Sequence, residues 1–157
     1  MVLELAGRLS RHDIQGVCGP LTGGAFTALL VARELKIEFF YAEKVADRPS
    51  DALLSVGYRL PAALRERVRG KRLAIVDDVI SAGSAVRGTF ADLVTCDAKI
   101  VALGSLIVLG SAIQSFAVDN RLALETLAVA ELALWEPTSC PLCESGMPLT
   151  VPYGPAA

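Results

Sequence analysis

Two adjacent carboxylates, Asp77 and Asp78, end the apolar run Leu73-Ala74-Ile75-Val76; Val79 and Ile80 follow, then the small-residue turn Ser81-Ala82-Gly83-Ser84-Ala85. A turn of this kind at the start of a helix lets several backbone N–H groups converge on an anion, and the helix dipole favours negative charge there. Ser81 and Ser84 add hydroxyl donors. A phosphate set against the two acids would be repelled, so Asp77 and Asp78 are assigned to hydrogen bonds from a vicinal diol, one sugar-length from the anion. A ribose carrying a phosphate needs both features. A second loop, Gly19-Pro20-Leu21-Thr22-Gly23-Gly24, follows another apolar strand and has the same phosphate-binding composition. Alone it reads as an ordinary strand-to-helix turn. Lying one strand from the first loop, it points to a ligand with phosphate at both ends.

The run of four apolar residues, two acids, two apolar residues, Ser, a small residue and Gly resembles, at every position, the 5-phosphoribosyl-1-pyrophosphate (PRPP) signature of type I phosphoribosyltransferases. In element order the resemblance extends from about Ile14 to Leu109 and is closest to the orotate phosphoribosyltransferase branch. A Walker B strand would need a G-x-x-x-x-G-K-[ST] loop, which the chain lacks, and a receiver domain would carry its acids on the first strand, not the third. The resemblance implies a doubly wound α/β fold with a mainly parallel five-stranded sheet and a reduced hood. It implies PRPP-dependent transfer of 5-phosphoribose to a nucleobase, orotate by resemblance, with release of pyrophosphate. Ser81, Ala82, Gly83, Ser84 and Ala85 would then hold the 5′-phosphate. Gly19, Pro20, Leu21, Thr22 and Gly23 would hold pyrophosphate, in this family often through a non-proline cis peptide, with Lys44 as its cation. Asp77 and Asp78 would position the ribose hydroxyls and stabilise the positive charge that develops on the sugar as the leaving group departs. Mg2+ would bridge pyrophosphate and ribose oxygens while keeping most of its waters.

The chain also departs from that pattern. Glu43 stands where the orotate enzymes usually carry Arg, and residues 45–57, in the place of a mobile catalytic loop with Lys and His-Gly, contain Arg48 as their one cation. Arg48 is the nominated catalytic cation of that lid. The family's base pocket draws on an N-terminal segment and on an arginine beyond the fourth strand, where this chain has Leu109-Gly110-Ser111. Weak activity on orotate is therefore expected of this chain alone, with Arg59 nominated as a compensating cation. Phe39, Phe40 and Tyr41 are either pocket walls or core residues; Trp135 and Tyr153 either stack on a base or pack beneath a hood. Three classes stay open: an active transferase, favoured by two intact phosphate loops; a non-catalytic PRPP sensor on the same fold, favoured by Glu43 and the lysine-poor lid; and a scaffold that binds nothing, disfavoured by the surviving acids and turn.

The elements that must position these residues alternate. Glu4 to Leu9 reads as an amphipathic helix, and Ile14–Cys18, Ile37–Tyr41, a strand from Arg72, Ile100–Leu109 and Leu124–Val129 as strands. Helices are expected from the 19–24 loop to about Leu35, over Leu60–Val68 and Ser84–Val94, and around Ala112–Val118. That alternation predicts a parallel, doubly wound sheet. The 157 residues, 53% apolar, fit one domain with a real core. Residues 1–130 are read as the PRPP-binding core and 131–157 as a proline-rich appendage. A net charge of −2 gives no general attraction to nucleic acid or an anionic membrane. The uncharged run Ile100–Val118 reaches membrane-spanning length but is broken by Gly104, Ser105, Gly110, Ser111, Gln114 and Ser115, so no membrane span is expected. No charged segment leading into an apolar core opens the chain, which makes the cytoplasm the default compartment. A mean hydropathy of +0.49 predicts apolar surface in need of cover, and with the family's habit of sharing a lid between subunits it predicts a homodimer.

Of four cysteines, two form Cys140-Pro141-Leu142-Cys143. Pro141, Gly146 and Pro148 predict a loop there. Three readings stand: a structural turn, a zinc half-site within or between subunits, or a redox pair. The distant Cys18, Cys96 and His12 are the other conceivable ligands, although a lone His12 reads first as a surface residue.

Overall fold

The computed structural model describes residues 1–45, 57–133, 135 and 137–148. In chain order the elements are α1 (Val2–Leu9), a 3-10 turn (Ser10–His12), β1 (Gly16–Pro20), α2 (Gly23–Leu35), β2 (Glu38–Lys44), β3 (Tyr58–Arg59), α3 (Ala62–Val68), β4 (Arg72–Ile80), α4 (Ser84–Thr95), β5 (Lys99–Leu109), α5 (Ala112–Asp119), β6 (Ala123–Ala130), a second 3-10 turn (Pro137–Ser139) and α6 (Pro141–Glu144). The strands form one sheet in the order β3-β2-β1-β4-β5-β6, parallel throughout except for β3 against β2. Six strands replace the expected five. The addition is β3, where Tyr58 pairs with Lys44 and Arg59 with Glu43; two residues are too few to show the alternation by which strands are read.

Side-chain alternation divides the core into two layers, because successive strand residues face opposite sides of the sheet. Cys18, Phe40, Leu73, Ile75 and Leu103 pack with Val68 of α3, Val86 and Leu93 of α4 and Ile113 of α5. Their neighbours Val17, Ala74, Val76 and Ala102 face the other way, against Leu5 and Leu9 of α1 and Ala28 and Val31 of α2. Both faces of the central strands are thus covered, which is why they read as continuous apolar runs. Gly104 sits where Leu9 crosses the sheet: a Cβ there would lie 2.9 Å from Leu9 Cδ1. The uncharged run expected not to span a membrane divides into β5 and α5, and among the described residues no helix is long and apolar enough to cross one.

Strand order reverses between β1 and β4, and the two strands part there. Their pairing ends at Cys18 with Ile75, whereas β1 continues beside β2 to Pro20 with Ala42 and β4 continues beside β5 to Ile80 with Val108. The notch this leaves beyond the carboxyl ends is where open α/β sheets bind ligands. Gly19 and Pro20, expected in the loop, are the last residues of β1, so the turn itself narrows to Leu21 and Thr22.

Candidate active site

Glycine lets the two halves of the site meet. A Cβ on Gly23 would overlap the Asp78 carboxylate, and one on Gly24 would lie 2.5 Å from Asp77 Oδ1. The first turn of α2 therefore packs directly against the acids at the end of β4, inside the notch. Gly19 is held to glycine by the same crowding, since its Cβ would run into the Gly24 carbonyl. Between them the Leu21–Thr22 peptide is cis, as the resemblance implied, and Leu21 N–H donates to the Ala42 carbonyl at 2.9 Å. No side chain caps α2, so its first N–H groups stay free beside the turn.

The acids themselves differ. Asp77 is buried, 8% exposed, while Asp78 is half-buried and donates its backbone N–H to Asp77 Oδ1 at 3.0 Å. Burial, reinforced by the neighbouring Asp78 carboxylate, pushes the Asp77 carboxyl up to about 7. Near neutral pH this acid is poised between its two forms. Ser105, buried on β5, has its Oγ 3.1 Å from the Asp78 carbonyl and 2.8 Å from the Ile107 carbonyl, its one hydroxyl proton shared between the two acceptors. It pins the backbone of the second acid to the next strand.

The second loop has a built N-terminus. Gly83 is the residue before α4, at φ +79°, and a Cβ there would lie 2.6 Å from Ile113 Cδ1. Ser81, Ala82, Ser84 and Ala85 are half-buried around it, and no side chain caps α4. Arg87 braces this loop from one turn below. Its Nη2 donates to the Ala112 carbonyl at 2.8 Å, its Nε to the Ala82 carbonyl at 3.4 Å, and its guanidinium lies 4.5 Å from the centre of the Phe116 ring. The sequence reading missed Arg87, because an arginine in a helix carries no signal of the carbonyls it reaches.

Lys44 is exposed at the end of β2, directly opposite Tyr58. Paired residues of an antiparallel ladder share a face. Tyr58 Oη lies 3.5 Å from the Leu21 carbonyl, and burial together with the charge of Asp77 raises its phenol. Tyr58, also unforeseen, thus places the Lys44 face of the ladder toward the cis turn. The adjacent pair, Glu43 opposite Arg59, belongs to the other face. Arg59, nominated as a compensating cation, is exposed on that face. Phe40 is fully buried in the core and Phe39 stacks against Tyr41 at 6.1 Å over the α2 layer, so core packing accounts for both phenylalanines. Arg48, most of the 45–57 lid and Tyr153 lie outside the described residues. Trp135 is exposed.

A family model for the phosphoribosyl transferase domain matches residues 4–120. The chain is 30% identical over 149 residues to the orotate phosphoribosyltransferase of Thermotoga maritima, spanning 95% of this chain and 72% of that protein. The chain belongs to the phosphoribosyltransferase family. Among solved structures, an adenine phosphoribosyltransferase from Rhodothermus marinus superposes with a TM-score of 0.67 at 19% identity, covering 82% of this chain and 77% of that one. An orotate phosphoribosyltransferase from Aeropyrum pernix does so at 0.61, also at 19% identity, covering 82% and 69%. At that identity the two share its fold. This phosphoribosyltransferase keeps the Gly23–Gly24 turn packed on both acids in the notch of the sheet, and the Gly83 turn follows at the end of the strand that carries those acids.

Proposed function

We propose that this phosphoribosyltransferase moves 5-phosphoribose from PRPP to orotate and releases pyrophosphate. The observation that carries the reading is the packing of Gly23 and Gly24 on Asp78 and Asp77, a helix-opening turn set directly against two carboxylates. The name borne by relatives at 30% identity supports orotate as the acceptor. In this reading the N–H groups and hydroxyls of Ser81, Ala82, Gly83, Ser84 and Ala85 hold the 5′-phosphate. Gly19, Pro20, Leu21, Thr22 and Gly23 shape the pyrophosphate turn, and Lys44 neutralises the leaving group. Asp77 and Asp78 accept hydrogen bonds from the ribose hydroxyls, fix the sugar, and face the positive charge that grows at its anomeric carbon. Arg48 is retained as the cation of the lid.

The donor set also fits a magnesium ion brought in with the substrate. Two adjacent carboxylates, one buried and one half-buried, are hard oxygen groups of the kind this ion prefers. Asp77 and Asp78 would hold such an ion through its waters, and when bound it would supply charge neutralisation for the departing pyrophosphate. The assembly proposed is a homodimer, supported by the exposed apolar stripe of Phe26, Leu29 and Leu30 on α2.

The deciding experiment incubates the full chain with PRPP, Mg2+ and either orotate or adenine, following pyrophosphate release and identifying the nucleotide by chromatography. Orotidine monophosphate is expected, formed slowly because Leu109-Gly110-Ser111 offers no cation to the orotate carboxylate. Adenosine monophosphate formed in its place would reassign the base. Retained PRPP binding with no release from either would overturn the transferase assignment.

A further inference from the structure

The appendage after β6 holds a feature for which the transfer reaction has no use. Cys140 precedes the single helical turn α6, with Pro141 at its first position, and Cys143 closes that turn; Gly146 follows at φ +69°. The sequence suggested a loop here. The turn forms instead because Glu144 N–H reaches the Cys140 carbonyl at 3.0 Å and Gly146 N–H the Cys143 carbonyl at 3.1 Å, while proline supplies the right φ at the first position. Backbone N–H groups of Leu142 and Cys143 are aimed at the Cys140 sulfur, and the Cys143 thiol lies against it. Both sulfurs are thus presented together from one short arch, with amides pointed at one of them, an arrangement that suits thiolate ligands of a metal.

No residue of α6 is buried, and a single helical turn has no intrinsic stability in water. The other two cysteines are unlike it: Cys18 and Cys96 are buried within the α4 side of the sheet. His12 is paired with Glu125 at 2.7 Å. Among the described residues no group of three or more His, Cys, Asp or Glu is placed to hold a metal. The arch therefore supplies two ligands where a structural zinc needs four. On it Leu142 is 52% exposed and Met147, whose N–H donates to the Leu142 carbonyl at 3.0 Å, is 59% exposed, an apolar rim with no cover among the described residues.

We propose that Cys140 and Cys143 of one chain and the same pair of a second copy together bind one zinc ion, with the Leu142 and Met147 rims closing around it. A two-fold axis through the metal doubles two ligands to four and sets each apolar rim against its own copy, as an isologous contact requires. Four thiols lose four protons to the solvent, four Zn–S bonds form, and no electron is transferred. The inference is independent of which base the site accepts.

The test uses the full chain, reduced and stripped of metal, titrated with Co2+ as a coloured probe and then with Zn2+. Saturation at one metal per two chains is expected, with the visible absorption of tetrahedral cobalt–thiolate that zinc then bleaches. Cys140→Ser/Cys143→Ser should lose this signal while keeping its far-ultraviolet circular dichroism and PRPP binding, since neither residue touches core or site. Cys18→Ala/Cys96→Ala should keep it. Saturation at one metal per chain, no uptake, or uptake undiminished in the Cys140→Ser/Cys143→Ser variant would each overturn the proposal. So would recovery of the untreated protein with Cys140 and Cys143 joined in a disulfide.

Discussion

At the residue scale the two acids are unequal: Asp77 is buried and Asp78 half-buried where the first turn of α2 packs on them. The consequence is a pH dependence. The carboxyl of Asp77 rises from 3.8 to about 7 on folding, so the folded chain holds a proton that the unfolded chain has released. The stability this gives is fully present below about pH 4 and is lost as pH rises through 7, at up to about 1.4 kcal/mol per unit between them. Chemical unfolding of the ligand-free protein from pH 4 to 8 should show that decline, and Asp77→Asn should flatten it. Binding runs the other way, because the ionised carboxylate is the better acceptor for ribose hydroxyls. Affinity for PRPP with Mg2+, measured by calorimetry, should increase from pH 6 to 8, and the folded Asp77→Asn/Asp78→Asn variant should not bind. Undiminished affinity in that variant would place the ribose elsewhere. Gly83 offers a separate check, since its φ of +79° and its 2.6 Å approach to Ile113 leave no room for a branched side chain. Gly83→Val should cost about 2 kcal/mol or more of stability and abolish binding of ribose 5-phosphate, both seen in a thermal-shift titration.

At the element scale most of the fold was legible, because parallel strands covered on both faces appear as apolar runs and the helices between them begin at Gly or Ser turns. Two kinds of element escaped that reading. Strand β3 and helix α6 are too short to carry a period, and each is made by backbone hydrogen bonds whose partners the sequence does not mark. Contacts between elements were hidden as well, and Arg87 shows why this matters. From α4 it ties the Ala82 carbonyl of the phosphate loop to the Ala112 carbonyl at the start of α5, so the loop's shape rests on two helices at once. Losing both bonds removes the tie between the two helices and leaves the turn free to relax, which costs about 1–3 kcal/mol. Arg87→Met should therefore raise KM for PRPP about tenfold with a smaller change in kcat. Arg87→Lys should recover part of the loss, because an ammonium can serve one carbonyl but not hold the fork across both. A KM unchanged in Arg87→Met, read beside an unchanged melting temperature, would show that the loop is held without the brace.

At the scale of the whole molecule the open question is what covers α2. Its inner face packs small residues, Ala25, Ala28, Val31 and Ala32, close to the sheet, which the approach to Asp77 and Asp78 demands. Its outer face carries Phe26, Leu29 and Leu30 at 62%, 46% and 47% exposure, three large apolar side chains at helical spacing turned toward solvent. Burying each fully would contribute about 1.5–3 kcal/mol, enough together to anchor a subunit contact. A second copy of the chain is the partner the mean hydropathy of +0.49 already pointed to. If the dimer forms here, it also steadies the helix whose first turn shapes the pyrophosphate loop, and assembly and substrate affinity are then linked. Leu30→Asp sets a carboxylate in that contact without touching the core or the site. Sedimentation velocity of the reduced, metal-stripped chain at micromolar concentration should show a dimer for the parent and a monomer for Leu30→Asp, and the variant's KM for PRPP should rise several-fold. A parent chain that sediments as a monomer would remove the contact, while a monomeric variant with unchanged KM would keep the dimer and sever its link to the site.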